Sequence, residues 1–204
     1  MTRPATVKYP TYDHDVRMIR GEGIGLRAPV PADRERWLEM LHDSEQTRLG
    51  SPAFISPPET IDELDERIAE AAASFEAGEP TTLTIVEGDD PRFVGNISWR
   101  RDAPPALRIC EIGYSVHPDA RGRGVARRAI RVFTQWLTLD DDGPQQARVQ
   151  LDHSVENIAS CRVALAAGFE HEGVRRAYLP LPDPTAPSGE RRHDVCLHGW
   201  PVEV

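Results

Sequence analysis

Only three cysteines, Cys110, Cys161 and Cys196, occur in 204 residues. They are too few and too scattered for a disulfide framework and show no paired metal-ligand spacing, so no metal is expected and they read as small buried apolar residues. No apolar run is long enough to span a membrane, and residues 1 to 20 lack a signal-peptide core. Both absences point to a cytoplasmic protein without a membrane partner. Basic charge is also short, with 24 Lys and Arg against 33 Asp and Glu and a formal net charge of -9. Nucleic-acid affinity comes largely from phosphate neutralisation, so no nucleic-acid partner is expected, whereas an acidic shell suits a cationic ligand. Two familiar glycine loops are missing as well. No Gly-x-x-x-x-Gly-Lys-Ser/Thr occurs, and the dinucleotide fingerprint stops after Gly122 and Gly124 because Arg127 stands where its third glycine belongs. No internal repeat is visible.

The chain is long enough for one substantial core. Residues 1 to 20 are polar and poor in apolar side chains and read as a tail or arm, with a single domain over 21 to 204. Strands are expected at 24–28, 81–86, 93–99, 109–116, 147–151, 174–179 and 194–198. Helices are expected from Asp33, over 59–76, over 125–137 and over 157–167, the last capped by Gly168. A proline-rich loop is expected from Pro180 to Gly189, since its prolines resist a strand. The fold class is therefore α/β, a mixed sheet with helices on both faces.

Between the apolar run ending at Val116-His117-Pro118 and the amphipathic stretch Val125, Ala129, Val132, Phe133, Trp136, Leu137 lies Arg121-Gly122-Arg123-Gly124-Val125-Ala126. A strand, a glycine turn and a helix start leave several amides unpaired where the macrodipole adds positive charge, which suits phosphate. Gly122 and Gly124 allow close approach or positive φ. Arg121, Arg123, Arg127, Arg128 and Arg131 crowd the helix's first half, where cations are disfavoured, and this predicts an anion to offset them.

Arg121, Gly124 and Ala126 form an Arg/Gln-x-x-Gly-x-Gly/Ala pattern that resembles the acetyl-CoA pyrophosphate loop of the GNAT superfamily of N-acetyltransferases. The similarity runs from about Gly25 to Trp200, through 25–33, 93–98, 111–118 and 157–173, and is strongest to the branch of RimJ and RimL-type ribosomal-protein N-terminal acetyltransferases. It implies a central, mostly antiparallel sheet splayed beside the strand that precedes the loop, with the cofactor in the cleft. The implied reaction is direct transfer of an acetyl group from acetyl-CoA to a primary amine, of a protein N-terminus or a small molecule, by a monomer or homodimer. A CoA-thioester sensor without turnover, or an enzyme using another acyl donor, are the alternatives. By this resemblance Tyr114, Ser115 and Val116 offer backbone groups to the pantetheine arm, residues Arg121, Gly122, Arg123, Gly124, Val125 and Ala126 bind the pyrophosphate, and Asn157 contacts the arm or caps its helix. Ser160 protonates the departing thiolate, and Arg176 and Tyr178 shape the amine pocket. Glu111, on the cofactor strand, is the candidate general base, or else an outward carboxylate paired with Arg108 or Arg148.

Overall fold

The computed structural model describes residues 17–55, 57–58 and 60–200. Strands β1 (Met18–Gly21) and β2 (Ile24–Arg27) form a hairpin whose two turn residues, Glu22 and Gly23, have φ of 51° and 71°. Residues 18–20 thus belong to the sheet rather than to the expected tail, because Ile19 packs against the core. Residues 1–16 of that tail lie outside the described residues. A 3-10 turn at Pro31–Asp33 leads into α1 (Arg34–Leu41), followed by α2 (Ser44–Leu49). Helix α3 (Ile61–Glu76) starts at Thr60, whose hydroxyl accepts from the Glu63 amide at 3.2 Å. Then come β3 (Thr82–Glu87), β4 (Asp90–Arg101), β5 (Ile109–Val116), α4 (Val125–Thr138), β6 (Arg148–Ser154), α5 (Ile158–Ala167), β7 (Glu170–Pro182) and β8 (Glu190–Trp200).

The eight strands form one sheet in the order β1-β2-β3-β4-β5-β6-β8-β7. Every neighbouring pair is antiparallel except β5 and β6. That parallel pair holds for three residues only, Ile109 with Arg148, Cys110 with Val149 and Glu111 with Gln150, and residues 112–116 continue with β4 alone. The two strands diverge from there and open a wedge in the sheet. Helices cover both faces. Most of the core lies under α4 and α5, where Ala129, Ile130, Phe133 and Leu137 of the α4 stripe are fully buried. A smaller cluster joins Trp37 and Met40 of α1 to Leu64 and Ile68 of α3 and Phe93.

Strand β7 narrows the expected loop, because it runs on through Pro180 and Pro182 and leaves residues 183–189 as the connection to β8. A proline cannot donate to a ladder, but β7 is the last strand and has one neighbour. Two prolines spaced by two place both missing amides on the same side. On the open side the Pro180 carbonyl accepts from the Ala53 amide at 2.9 Å, which ties the segment after α2 to the end of β7.

One buried ion pair holds the first strands to the helical layer. Arg27 donates to both carboxylate oxygens of Asp33, at 2.7 and 2.8 Å, and the pair is almost wholly buried. Asp33 also accepts from the Val30 amide and the Thr84 hydroxyl. Both of its oxygens therefore accept hydrogen bonds inside the protein. Removing one member of such a pair leaves an uncompensated charge. Asp33→Ala is expected to cost about 3–5 kcal/mol in urea unfolding; a loss near that of an exposed substitution would show that the pair contributes nothing.

Candidate functional site

After β5 the chain makes a 3-10 turn at Pro118–Ala120 and then the glycine turn. Gly122 and Gly124 have φ of 74° and 72°, and a Cβ at either would meet nothing within 4 Å. Their requirement is conformational and not steric. Among the described residues no group accepts from the amides of residues 122–126, which gather at the start of α4. Such a cluster of free donors at a helix N-terminus is an anion cradle.

The arginines around it differ from the sequence reading. Carboxylates of the chain itself offset them: Arg121 bonds Asp43 at 2.7 Å and Glu45 at 3.0 Å, Arg123 and Arg128 share Glu87, and Arg131 bonds Glu22. The bond from Arg121 holds the Asp43 carboxyl below its usual range. Arg127, exposed at the rim, has no partner among the described residues. The crowding is thus no proof of a foreign anion; the free amides are the evidence.

Two cavities flank the wedge. The first, of about 350 Å³, is lined by Tyr114, Ser115 and Val116 of β5, by Arg121, Gly122, Gly124, Val125 and Ala126, and by Asn157 and Ser160. Arg123 does not line it. The second, of about 470 Å³, lies beyond, and its lining includes Trp99, Arg100, Glu111, Gly113, Asp152, His153, Tyr178 and Pro180. Both contain Leu49, Gly50, Tyr114, Asn157 and Ser160, so the two spaces meet at these side chains.

At that junction the Tyr114 hydroxyl and Ser160 Oγ are 2.9 Å apart. Burial pushes the Tyr114 phenol up to about 12, so it stays protonated and can serve Ser160 as a donor. The Asn157 side-chain oxygen accepts from the Ser160 amide at 3.0 Å, which makes Asn157 the N-cap of α5 and fixes Ser160 one turn in. The side-chain amide nitrogen of Asn157 is left for the cavities it lines. One backbone group expected to be open is taken, since the Val116 carbonyl accepts from Arg121 Nε at 3.2 Å.

The second cavity holds the other predicted residues, with two differences. Glu111 pairs with Arg100 at 2.7 Å, not with Arg108 or Arg148; Arg148 is taken by Glu172. Arg176 is exposed and lines neither cavity. Its neighbour Arg175 instead stacks its guanidinium 4.9 Å from the Tyr178 ring and bonds Asp152. The register is irregular between Arg175 and Leu179, with Ala177 at φ 48°, and the acceptor-side position that the resemblance gives Arg176 falls outside the cavity. Asp152 is the residue that sequence reasoning missed. Burial, reinforced by the charge of Glu111, raises its carboxyl to about 6 against the pull of Arg175. Its only sequence signal was a carboxylate next to Leu151 in the strand Arg148–Ser154. His153 gives Nδ1 to the Ser154 carbonyl at 2.8 Å and stacks on His198, which burial lowers to about 4. His117 is held between Asp119 and Glu39, away from both cavities.

Residues 24–170 match the family model described as an acetyltransferase (GNAT) domain. A curated relative, the probable N-acetyltransferase YjcK of Bacillus subtilis (strain 168), is 26% identical over 122 residues, which span 60% of this chain and 66% of that protein. Among solved structures, the ribosomal-protein-S5-alanine acetyltransferase of Vibrio fischeri superposes with a TM-score of 0.72 at 17% identity, over 90% of this chain and 95% of that one. Mycobacterium smegmatis RimJ in complex with CoA-disulfide gives 0.70 at 22% identity, over 90% and 84%.

The glycine turn yields a direct test. Gly124→Val places a β-branched residue at positive φ, which costs about 1–2 kcal/mol in stability, and it is expected to weaken the binding of inorganic pyrophosphate in calorimetry. Equal pyrophosphate affinity in a folded Gly124→Val protein would show that the turn is not the anion cradle.

Proposed function

The chain belongs to the GNAT acetyltransferase family, and on that premise we propose that it moves an acetyl group from acetyl-CoA to a primary amine by direct attack within a ternary complex. The observation that carries this reading is the junction of the two cavities at Tyr114 and Ser160. The first cavity ends on the free amides of residues 122–126 and takes the diphosphate of the donor; the second takes the amine. The pantetheine arm between them lies along residues 114 and 115 as an added strand in the wedge, where β6 no longer accompanies β5. Structures of this fold include one with CoA-disulfide bound, which supports the same use of the cleft here.

In the reaction the amine nitrogen forms the C–N bond with the thioester carbon, and the C–S bond breaks with its electron pair on sulfur. A backbone amide near residue 114 or 115 steadies the oxyanion. Ser160 gives its hydroxyl proton to the thiolate, and the Tyr114 phenol beside it keeps that hydroxyl oriented. The proton shed by the acetylated nitrogen restores Ser160. Tyr178, half in solvent above the second cavity, forms part of its mouth with Phe54 and Ile55. The acceptor is a small amine or a protein N-terminus, and an opening edged by these exposed apolar side chains admits either.

Calorimetry with acetyl-CoA tests the donor. Arg121→Glu is expected to abolish binding, because it puts a carboxylate at the cradle and frees Asp43 and Glu45 beside it. Ser160→Ala should bind acetyl-CoA normally yet lower kcat by about 100-fold, the scale of a lost general acid. An intact, folded chain that shows no heat with acetyl-CoA would end this reading.

A further inference from the structure

The acceptor cavity holds two carboxylates in unlike states. Glu111 is served from the surface side, where Arg100, itself largely exposed, donates to Oε1 at 2.7 Å. Asp152 sits deeper. Its Oδ2 accepts from Arg175 at 2.6 Å, and its Oδ1 is buried with no hydrogen-bond partner among the described residues. A buried carboxylate oxygen without a donor is costly, and native structures keep few. Position adds to this. Asp152 follows Gln150, the last β6 residue paired with β5, by two residues and on the same face, so it stands where the wedge begins to open. Across the wedge Glu111 is followed on its own face by Gly113, which lines the same cavity without a side chain.

We propose that Asp152 is the general base that takes the proton from the acceptor's ammonium group, an assignment that rests on the acetyl-transfer reading above. One proton passes from the ammonium nitrogen to Asp152 and on to solvent, and the freed lone pair attacks the thioester. The second proton leaves the nitrogen as the amide forms and ends on the CoA sulfur through Ser160. Glu111 is then the neighbouring charge that keeps Asp152 basic, a positioning role. The groups facing Asp152 are Glu111 on β5, Arg100 on β4, Asp102 after β4 and Arg175 on β7. Burial comes first among the effects on its carboxyl; Glu111 and Asp102 raise it, and Arg175 and Arg100 lower it, with the outcome near 6. Below that pH the carboxyl is protonated and cannot accept, so turnover falls as pH falls through about 6.

The test uses the full chain, acetyl-CoA, and two acceptor probes, a short peptide amide with a free N-terminus and an aliphatic diamine, with thiol release followed across pH. Asp152→Asn is expected to bind acetyl-CoA with unchanged affinity in calorimetry, to lose about 100-fold in kcat, and to lose the acidic limb of the profile. Arg175→Met, which removes a cation that lowers the carboxyl, should shift that limb to higher pH. In the free protein, carbon-13 labelled at aspartate carboxyls, one resonance should titrate near 6 and be missing from Asp152→Asn. An Asp152→Asn protein within about threefold of the native rate and with the same limb overturns the proposal. So does the absence of any such resonance. A native chain that binds acetyl-CoA but acetylates neither probe fails the transfer reading at the acceptor, and the carboxyl titration still decides the state of Asp152.

Discussion

The parting of β5 from β6 after Glu111 and Gln150 is the constraint from which the site follows. A sheet that stayed paired would bury the polar groups of residues 112–116 in a ladder and leave no space between the two cavities. Once the strands part, those groups need other partners. β4 satisfies one side of them, and the Val116 carbonyl turns to Arg121. The far side of the wedge is closed by α5, whose start is fixed by Asn157, so that Ser160 meets Tyr114 across the gap. One local failure of pairing thus creates the cleft and also sets the two hydroxyls at its waist.

The electrostatics of the cradle are organised by competition. Asp43, Glu45 and Glu87 occupy Arg121, Arg123 and Arg128 in the absence of a ligand. These pairs are partly exposed, so each is weak and exchangeable. In the proposed complex a diphosphate would exchange these arginine–carboxylate bonds for arginine–phosphate bonds, and the backbone amides, which have no such substitute, would give the net gain. This accounts for a loop so rich in arginine inside a chain whose net charge is strongly negative.

Much of this was legible in the sequence because the signals were local. Pro118 ending a strand, two glycines, and a stripe at steps of three and four specify a turn between strand and helix, and the positive φ of Gly122 and Gly124 is what such a pair permits. The β5 face carrying Glu111, Gly113 and Ser115 could be drawn from alternation alone, and the structure sets all three against the cavities. What was hidden depends on neighbours distant in sequence. The partner of Glu111 is Arg100 on β4, chosen by a register that no spacing reveals. Arg175 stands in place of Arg176 where the register of β7 with β8 is irregular. Pro180 and Pro182 belong to a strand because that strand is last in the sheet, a fact of topology. The importance of Asp152 comes from the burial and the like charge around it, neither of which is written in its own segment.

The edge formed by β7 has a further consequence. An outermost strand ordinarily offers a row of unused main-chain donors and acceptors onto which a second molecule can add, and long flat edges seed fibres. At Pro180 and Pro182 two rungs of that template are erased, and the carbonyl of the first is already occupied by Ala53. The last part of the sheet therefore resists extension by a copy of itself, and Pro180, which borders the second cavity, is one of the two residues that guard that side against edge-to-edge growth.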